Sequence, residues 1–471
     1  MREKRLIALA LVVLGLGAFI WFWERHQPTT EEARKQAGLV LPGLEKADVT
    51  RITIAHGEKR FELVKKDGEW HLEKPITDRA DDQAVDLLLS ALKGLKAERR
   101  LPVGDVSLAD WGLEKPAYTV TLADTGGKTW TLKVGSEEPL GNNRAVTVDG
   151  TAVVLCPKWF VSDMDKDLDG WRSHKVVTLF EDQVASLEVE TPGDRVRVVR
   201  DGGLWRLLEP VRDLADRDQV RNLVSALNGL RIKAFIDDSK PDLAALGLDT
   251  PRYRVTVVRT GGKAPVTLEF GAKRELEGVK QVACRRNGSA LFWVTDGAET
   301  PLGKAPVLWR SKVVYPFDTW DVTRLTVVSG DARAELEHDG GEWTCSGHDV
   351  DGSAVFDRLS RLARLQAENF DLVEPGTPTI GSITLTLKPA ATAGDDAGPA
   401  EVTWTFYEPM KAGGRALVRV SGRDTIMSVD AARARGLVAD PEALCAPPAT
   451  PTPVPEANGG KKQKAATKPA G

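Results

Sequence analysis

Three carboxylates alternate with other residues in the stretch Asp165-Lys-Asp167-Leu-Asp169-Gly170. This pattern is typical of the first half of a calcium-binding loop, in which oxygen ligands at alternate positions converge on a hard cation. The bidentate glutamate expected at the twelfth position is missing, because Val176 stands there. Asp165, Asp167 and Asp169 are therefore candidate metal ligands that form half of the usual set.

The same stretch also fits a short amphipathic helix that closes a folded unit. Its apolar residues recur at helical spacing: Phe160, Met164, Leu168 and Trp171. In that arrangement the three aspartates form the solvated face of the helix and bind no metal. The residues alone leave both interpretations open.

Two further motifs are typical of enzymes but lack their context. Residues 127–129, Gly-Lys-Thr, look like the end of a phosphate-binding loop, but Leu122 replaces the earlier glycine of that motif. Ser90 and Lys93 spell the S-x-x-K of serine acyl transferases, without the partner motifs of those enzymes. We interpret the first motif as a hairpin turn and the second as a helix surface. The sequence predicts no catalytic residue and no cofactor.

The chain has 13 tryptophans against 4 tyrosines, an excess that would suit a stacking platform for a glycan. However, Trp70, Trp205 and Trp343 recur at corresponding positions of an internal repeat. Recurrence in register predicts core packing, because each copy of a repeat must fill the same space. A glycan-binding surface remains the alternative.

The repeat is established by residue spacing. Trp70 and Trp205 lie 135 residues apart, and each is followed five residues later by a proline. The same offset relates residues 90–95, Ser-Ala-Leu-Lys-Gly-Leu, to residues 225–230, Ser-Ala-Leu-Asn-Gly-Leu. A third, shortened copy begins near residue 320. So many identities in register indicate a duplicated unit.

Each copy combines strand and helix patterns. In the first copy, residues 51–54 and 61–64 alternate with a period of two, which predicts a short antiparallel meander. Asp81 then offers an N-cap. A helical stripe of apolar residues follows it: Val85, Leu88, Leu89, Leu92 and Leu95. We predict an α+β fold, with tandem repeats of antiparallel strands and one core helix each, preceded by a single N-terminal transmembrane helix.

The transmembrane prediction rests on residues 6–23, an uncharged run of 18 residues. A helix of that length spans about 27 Å, close to the thickness of a bilayer core. Cations precede the run and bulky aromatic residues end it, which favours an uncleaved anchor with a cytoplasmic N-terminus over a cleaved signal peptide. The predicted organisation is a cytoplasmic N-terminus (1–5), an anchor (6–23), a spacer (24–46), copy 1 (47–181), copy 2 (182–319), a degenerate copy 3 (320–445) and a disordered tail (446–471).

Composition excludes several classes of protein. The 471 residues include 64 Lys and Arg against 68 Asp and Glu, a net charge of −4 that offers no basic field for nucleic acid. Four cysteines in so long a chain exclude a scaffold built from disulfides. The length suffices for several folded units, each with its own core.

The pattern of the copies resembles a known family. Gly68-Glu-Trp70-His-Leu72-Glu-Lys-Pro75 with Ala80-Asp81 carries the resemblance in copy 1, and Gly203-Leu-Trp205-Arg-Leu207-Leu-Glu-Pro210 with Ala215-Asp216 carries it in copy 2. Both resemble domain of unknown function 4340, over about residues 47–445. The resemblance implies a bacterial protein with one N-terminal anchor and an extracytoplasmic body, often a companion of gliding-type ABC transporters. It implies no catalytic residues.

These observations lead to one main hypothesis and two alternatives. The main hypothesis is a single-pass protein of the bacterial inner membrane with its body in the periplasm, acting as a non-enzymatic accessory or scaffold. Its partners would be the membrane, through residues 6–23, and an ABC transporter permease or another envelope protein, with no nucleic acid. The alternatives are a calcium- or glycan-binding envelope module and a hydrolase whose site lies between repeats.

Overall fold

The computed structural model describes residues 38–139, 141–237, 239–339, 341–389 and 400–447. The chain divides into two compact units, Met1–Val176 and Val177–Gly471, which we call unit 1 and unit 2. The predicted anchor and almost all of the predicted tail and of the loop at 390–400 lie outside the described residues. Within the described ranges, every helix is too short or too polar to cross a bilayer.

The described residues of unit 1 form one antiparallel sheet, the first sheet. Its strands are β1 (Val49–His56), β2 (Lys59–Lys66), β3 (Glu69–Lys74), β4 (Asp78–Arg79), β5 (Arg99–Pro102), β6 (Tyr118–Asp124), β7 (Thr129–Glu137), β8 (Asn143–Thr147) and β9 (Ala152–Pro157). Their order across the sheet is β4-β3-β2-β1-β6-β7-β8-β9-β5. Two meanders therefore meet where β1 pairs with β6.

The described residues of unit 2 form two sheets. The second sheet contains β10 (Val184–Glu190), β11 (Arg195–Asp201), β12 (Leu204–Glu209), β13 (Asp213–Leu214), β14 (Ile232–Phe235), β15 (Tyr253–Arg259), β16 (Val266–Leu276), β17 (Val279–Arg286) and β18 (Ala290–Thr295). The third sheet contains β19 (Val322–Ser329), β20 (Ala332–Asp339), β21 (Glu342–Cys345), β22 (His348–Asp349), β23 (Thr379–Leu387), β24 (Ala400–Tyr407), β25 (Ala416–Val420) and β26 (Arg423–Val429).

The three sheets share one topology. The second sheet has the order β13-β12-β11-β10-β15-β16-β17-β18-β14, which repeats the first sheet strand for strand. The third has the order β22-β21-β20-β19-β23-β24-β25-β26, and among the described residues it lacks only the counterpart of β5 and β14. The repeated sequence spacing thus corresponds to a repeated strand order.

Helices cover and close the sheets. They are α1 (Asp82–Lys93), α2 (Val161–Met164) and α3 (Leu168–Trp171) in unit 1, and α4 (Arg217–Gly229), α5 (Glu299–Leu302), α6 (Gly352–Ala363) and α7 (Ala431–Val438) in unit 2. Short 3-10 helices occupy Lys158–Phe160, Glu181–Gln183, Pro306–Trp309, Thr319–Asp321 and Pro441–Cys445. The three long helices α1, α4 and α6 begin in the same way, because an aspartate side chain caps each one: Asp81, Asp216 and Asp351.

The core of each sheet lies beneath its long helix. The predicted helical stripe of α1 is buried, and Val85, Leu88 and Leu92 are inaccessible to solvent. The recurring tryptophans are buried as well, as the core interpretation predicted: Trp70, Trp171, Trp205, Trp309 and Trp343. The predicted α+β class with antiparallel strands is therefore confirmed.

One local prediction was wrong. The sequence pattern from Phe160 to Trp171 suggested a single closing helix, but the structure breaks it into a 3-10 turn and the short helices α2 and α3. The break lies at Asp165, whose backbone is not helical, and at Asp167, whose side chain caps α3. An aspartate that accepts a hydrogen bond from the backbone two or three residues ahead starts a new helix more readily than it continues an old one.

Candidate functional site

The three candidate metal ligands each contact a different partner. Asp165 lies 3.6 Å from Nδ1 of His56. Burial, followed by the hydrogen bond to Asp165, raises the pKa of Tyr118. Asp167 accepts a hydrogen bond of 2.8 Å from the backbone N–H of Gly170. These contacts tie the first two acids to the local fold.

The third acid, Asp169, lies 3.7 Å from the guanidinium of Arg172. Within the described ranges, no group of three or more His, Cys, Asp or Glu side chains is placed to hold a metal ion. Calcium binding at Asp165, Asp167 and Asp169 therefore stays a prediction for experiment.

Arg172 belongs to a buried ion pair that the sequence search did not single out. Its Nε donates a hydrogen bond of 2.9 Å to Oδ2 of Asp78, and Nη2 lies 2.8 Å from the same oxygen. The other carboxylate oxygen of Asp78 accepts from the backbone N–H of Arg79 at 2.8 Å. The short strand β4 thus presents its aspartate to the arginine of the closing Trp-Arg-Ser motif.

The same pair recurs in unit 2. Nε of Arg310 donates to Oδ2 of Asp213 at 2.8 Å, and the backbone N–H of Leu214 donates to Oδ1 at 2.8 Å. Arg310 occupies the Trp-Arg-Ser position of copy 2, as Arg172 does in copy 1. The duplication has therefore preserved a buried salt bridge together with its backbone partner.

In unit 2 a second arginine completes the site. Arg423, the first residue of β26 in the third sheet, donates from Nε to Oδ1 of Asp213 at 2.6 Å and from Nη2 to Oδ2 at 3.2 Å. Its remaining N–H groups donate to the backbone carbonyls of Ser311, Val313 and Val314, each at 2.8 Å. The side chains of Asp213 and Arg423 are both 0% exposed. Buried guanidinium and carboxylate groups are stable only when partners of this kind satisfy them.

Asp371 balances the second positive charge. Both terminal nitrogens of Arg310 contact its carboxylate, and Thr425 Oγ1 donates to it at 3.0 Å. The hydrogen bond from Arg310 is the main cause that lowers the pKa of Asp371, against a smaller opposing effect of burial. Burial alone would lower the pKa of Arg310, but the contacts with Asp371 and Asp213 outweigh it and raise the pKa.

An aromatic ring packs against this cluster of two acids and two arginines. The ring centre of Phe370 lies 4.4 Å from the guanidinium carbon of Arg310 and 5.6 Å from that of Arg423. Cation–π contacts of this kind add to the electrostatic attraction. With every charged group engaged, the cluster joins the second and third sheets rather than presenting a free acid or base.

Sequence reasoning missed this cluster although part of its signal was present. The repeated Trp-Arg-Ser was noted as a marker of the duplication, and Asp78 and Asp213 are related by the same offset of 135 residues. Paired recurrence of an acid and an arginine indicates a salt bridge. Arg423 had no such signal, because Ser289 occupies the corresponding place in copy 2.

A second feature distinguishes the third sheet from the others. Trp320, in the 3-10 helix before β19, and Phe356, on α6, are 70% and 47% exposed. Their ring centres lie 6.1 Å apart, so the two aromatic side chains contact one another at the surface. We call Trp320 and Phe356 the aromatic pair.

Ion pairs occupy the corresponding place in the other two sheets. In the first sheet, Nζ of Lys46 lies 2.5 Å from Asp86 on α1. In the second, Nε of Arg221 on α4 lies 3.4 Å from Glu181. Asp86, Arg221 and Phe356 stand at the same position relative to the N-cap of their helices. Only the third copy, among the described residues, replaces this ion pair with exposed apolar groups.

The third sheet also contains a disulfide. Cys345 on β21 is bonded to Cys445, in the last 3-10 helix, across a sequence separation of 100 residues. Cys156 and Cys284 are buried free thiols. Burial raises the pKa of Cys156 to about 12 and also raises the pKa of Cys284.

Two solved structures align with most of the chain. One is a DnaN sliding clamp (DNA polymerase III subunit beta) from Pseudomonas aeruginosa bound to griselimycin, with 11% identity, a TM-score of 0.17 and coverage of 86% of this chain and 96% of that chain. The other is a Helicobacter pylori beta clamp in complex with carprofen, with 8% identity, a TM-score of 0.16 and coverage of 85% and 96%. TM-scores this low do not establish a shared fold. No curated protein matches the chain.

A family model matches the sequence over two overlapping segments, residues 70–212 and 205–379. The segments span the junction of copies 1 and 2 and the junction of copies 2 and 3, and together they cover more than half of the chain. The predicted resemblance is thereby confirmed. The chain belongs to the family described as Domain of unknown function (DUF4340).

Proposed function

We propose that this protein is a membrane-tethered, extracytoplasmic scaffold subunit without catalytic activity of its own, working beside the permease of an ABC-type export system in a bacterial inner membrane. The observation that carries the proposal is the exposed aromatic pair, Trp320 and Phe356. Tryptophan and other aromatic residues are enriched at the centres of protein interfaces, where they bury large areas at low cost in conformational entropy.

The repeat makes this observation more than an isolated exposed residue. Copies 1 and 2 hold the same junction between entry segment and helix with charged side chains, Lys46 with Asp86 and Glu181 with Arg221. The fold therefore does not need apolar groups there. An exposed aromatic pair in one copy alone is better explained by a partner that covers it.

The disulfide supports the extracytoplasmic location. Disulfides persist in oxidising compartments such as the periplasm and are rare in the cytosol. The Cys345–Cys445 bond is consistent with the orientation predicted from residues 6–23, which sends the rest of the chain across the membrane. The ABC-type partner is the one that the family resemblance implies.

The buried cluster supports a mechanical rather than a chemical role. Asp213, Arg310, Arg423 and Asp371 satisfy one another and the surrounding backbone, so their charges hold the second and third sheets in one arrangement. A scaffold needs such a fixed surface, because immobilising a flexible one on binding costs free energy.

Co-purification tests the proposal. Full-length protein extracted in mild detergent is expected to bring down an ABC-type permease, identified by mass spectrometry. The double variant Trp320→Glu/Phe356→Arg replaces the aromatic pair with charges of the kind that copy 2 uses, so it should fold normally and lose the partner. A wild-type protein that elutes alone, or a folded variant that keeps the permease, would contradict the proposal.

A reporter fused to the C-terminus tests the location separately. Alkaline phosphatase should be active in that position and a cytosolic fluorescent reporter should be inactive, because the body lies outside the cytoplasm. The opposite pattern would refute the extracytoplasmic assignment.

A further inference from the structure

A groove lies between the two helices of the third sheet, α6 and α7. It encloses about 590 Å³, and Arg361 and Arg364 of α6 line it together with Arg433 of α7. Leu365 and Leu437 contribute apolar surface to the same groove. Its size lies in the range of small-molecule sites, about 300–1,000 Å³. We call it the arginine groove.

The positive charge of the groove is only partly balanced. Arg361 forms an ion pair with Asp357, one turn earlier on α6. Across the part of the chain that the structure describes, no carboxylate lies within ion-pair distance of Arg364 or Arg433. The groove therefore carries a surplus of guanidinium groups on opposite walls.

A fourth arginine crowds the same junction. Arg358 is only 8% exposed, and its Nη1 donates to the carbonyls of Leu437 at 2.6 Å and of Ala439 at 3.1 Å. Its buried Nε has no hydrogen-bond partner among the described residues. Burial, and then repulsion by Arg361, lower the pKa of Arg358. An anion in the groove would relieve this repulsion.

The other two copies show that the fold does not require these arginines. Aligned on the N-caps Asp81, Asp216 and Asp351, the positions of Arg361 and Arg364 are small residues in copies 1 and 2. They are Ala91 and Gly94 in α1 and at its end, and Ala226 and Gly229 in α4. Copy 3 has thus acquired two cations on a helix that packs without them twice in the same chain.

We propose that the arginine groove binds a small phosphate-bearing ligand, a phosphate ester whose charged oxygens contact Arg361, Arg364 and Arg433. Guanidinium groups present a planar fork of donors that matches phosphate oxygens, and several of them suit a group with nearly two negative charges better than a single carboxylate. The hydroxyl of Ser360 lines the groove as a further donor, and Leu365 and Leu437 face the organic part of the ester. This proposal is independent of the scaffold function.

The test is isothermal titration calorimetry on the full-length protein in dodecyl maltoside, a detergent without phosphate. The probes are glycerol 3-phosphate, a free phosphomonoester, and dihexanoyl phosphatidylglycerol, which carries the phosphodiester of a lipid headgroup. Glycerol is the control ligand. We expect saturable binding of at least one phosphate probe, and the tighter of the two identifies the source as a free ester or a lipid.

The matched variant is Arg361→Ala/Arg364→Gly, which installs the residues that copy 2 uses at these positions. Loss of these charged hydrogen bonds should weaken binding by at least about tenfold. Arg435→Ala, on α7 but paired with Glu408 and not lining the groove, should leave the affinity unchanged. No saturable binding by either phosphate probe, equal binding of glycerol, or an unchanged affinity in a double variant with a native melting temperature would each overturn the proposal.

Discussion

Arg423 and Asp213 form a two-point ion pair between the third and second sheets, although 210 residues separate them in the chain. Each of the two carboxylate oxygens accepts a hydrogen bond from Arg423, and neither side chain is exposed to solvent. Because Arg310 shares the same carboxylate, the pair extends into a cluster that is neutral overall. The relationship explains why unit 2 contains two copies of the repeat in a single compact body.

Removing Arg423 should therefore destabilise unit 2. The variant Arg423→Met leaves Asp213 with one arginine and strips the carbonyls of Ser311, Val313 and Val314 of their shared donor. We expect a loss of about 3–5 kcal/mol in the free energy of unfolding, the cost of breaking a buried ion pair from one side. Urea unfolding followed by tryptophan fluorescence measures it. Arg419→Ala, which breaks the exposed pair with Glu374, is the control and should cost no more than about 1 kcal/mol.

The sequence predicted the repeating framework well for a physical reason. Strand alternation, the stripe of α1 and the recurring tryptophans are all local patterns whose meaning does not depend on distant residues, and duplication repeats each signal. The long-range contacts of Arg423 had no counterpart in copies 1 or 2, so nothing in the sequence linked it to Asp213.

The same limit applies to the surfaces. The exposure of Trp320 and the grouping of Arg364 with Arg433 depend on how α6 lies against its neighbours, which spacing alone does not give. In hindsight, the differences between copies were the useful signal. Arg361 and Arg364 depart from the small residues of copies 1 and 2, and such departures mark positions that the fold itself does not specify.

Acid should weaken the cluster through Asp371. Its folded-state pKa is lowered, chiefly by the hydrogen bond from Arg310, so its contribution to stability is full above the unfolded-state pKa and is lost as pH falls through the folded-state value. The side chain is 61% exposed, so solvent screening limits the contribution to about 1 kcal/mol or less. In urea unfolding from neutral pH into the acid range, the difference between wild type and Asp371→Asn should shrink towards zero. A difference that stays constant with pH would contradict this assignment.

Thiol reactivity checks both the disulfide and the buried cysteines. The chain has four cysteines, of which Cys345 and Cys445 are bonded and Cys156 and Cys284 are buried with raised pKa values. The thiolate is the reactive form, so the native oxidised protein should react negligibly with Ellman's reagent at neutral pH. Denaturation without reductant should expose two thiols, and denaturation after reduction should expose four. Rapid reaction of the native protein would show that the assignment of the cysteines is incorrect.

The disulfide should also contribute to stability. It joins residues 100 positions apart and so restricts the unfolded chain over a long loop. Replacing both cysteines, in Cys345→Ser/Cys445→Ser, is expected to cost about 2–5 kcal/mol. The melting temperature of the double variant, compared with wild type in the presence and absence of reductant, measures this effect. Reductant should lower the melting temperature of the wild type only, and an equal response of both proteins would argue against the bond.

Calcium titration separates the two interpretations of the aspartates at 165, 167 and 169. Asp167 caps α3, and Asp169 lies beside the guanidinium of Arg172, which competes with a cation for the same carboxylate. We therefore expect no saturable heat when calcium is added to the full-length protein at neutral pH. The variant Asp167→Ala should still lower the free energy of unfolding by about 1 kcal/mol, because its cap is lost whether or not calcium is present. Saturable heat in the wild type that disappears in Asp165→Asn/Asp167→Asn/Asp169→Asn would instead establish the calcium loop and make these acids a binding site.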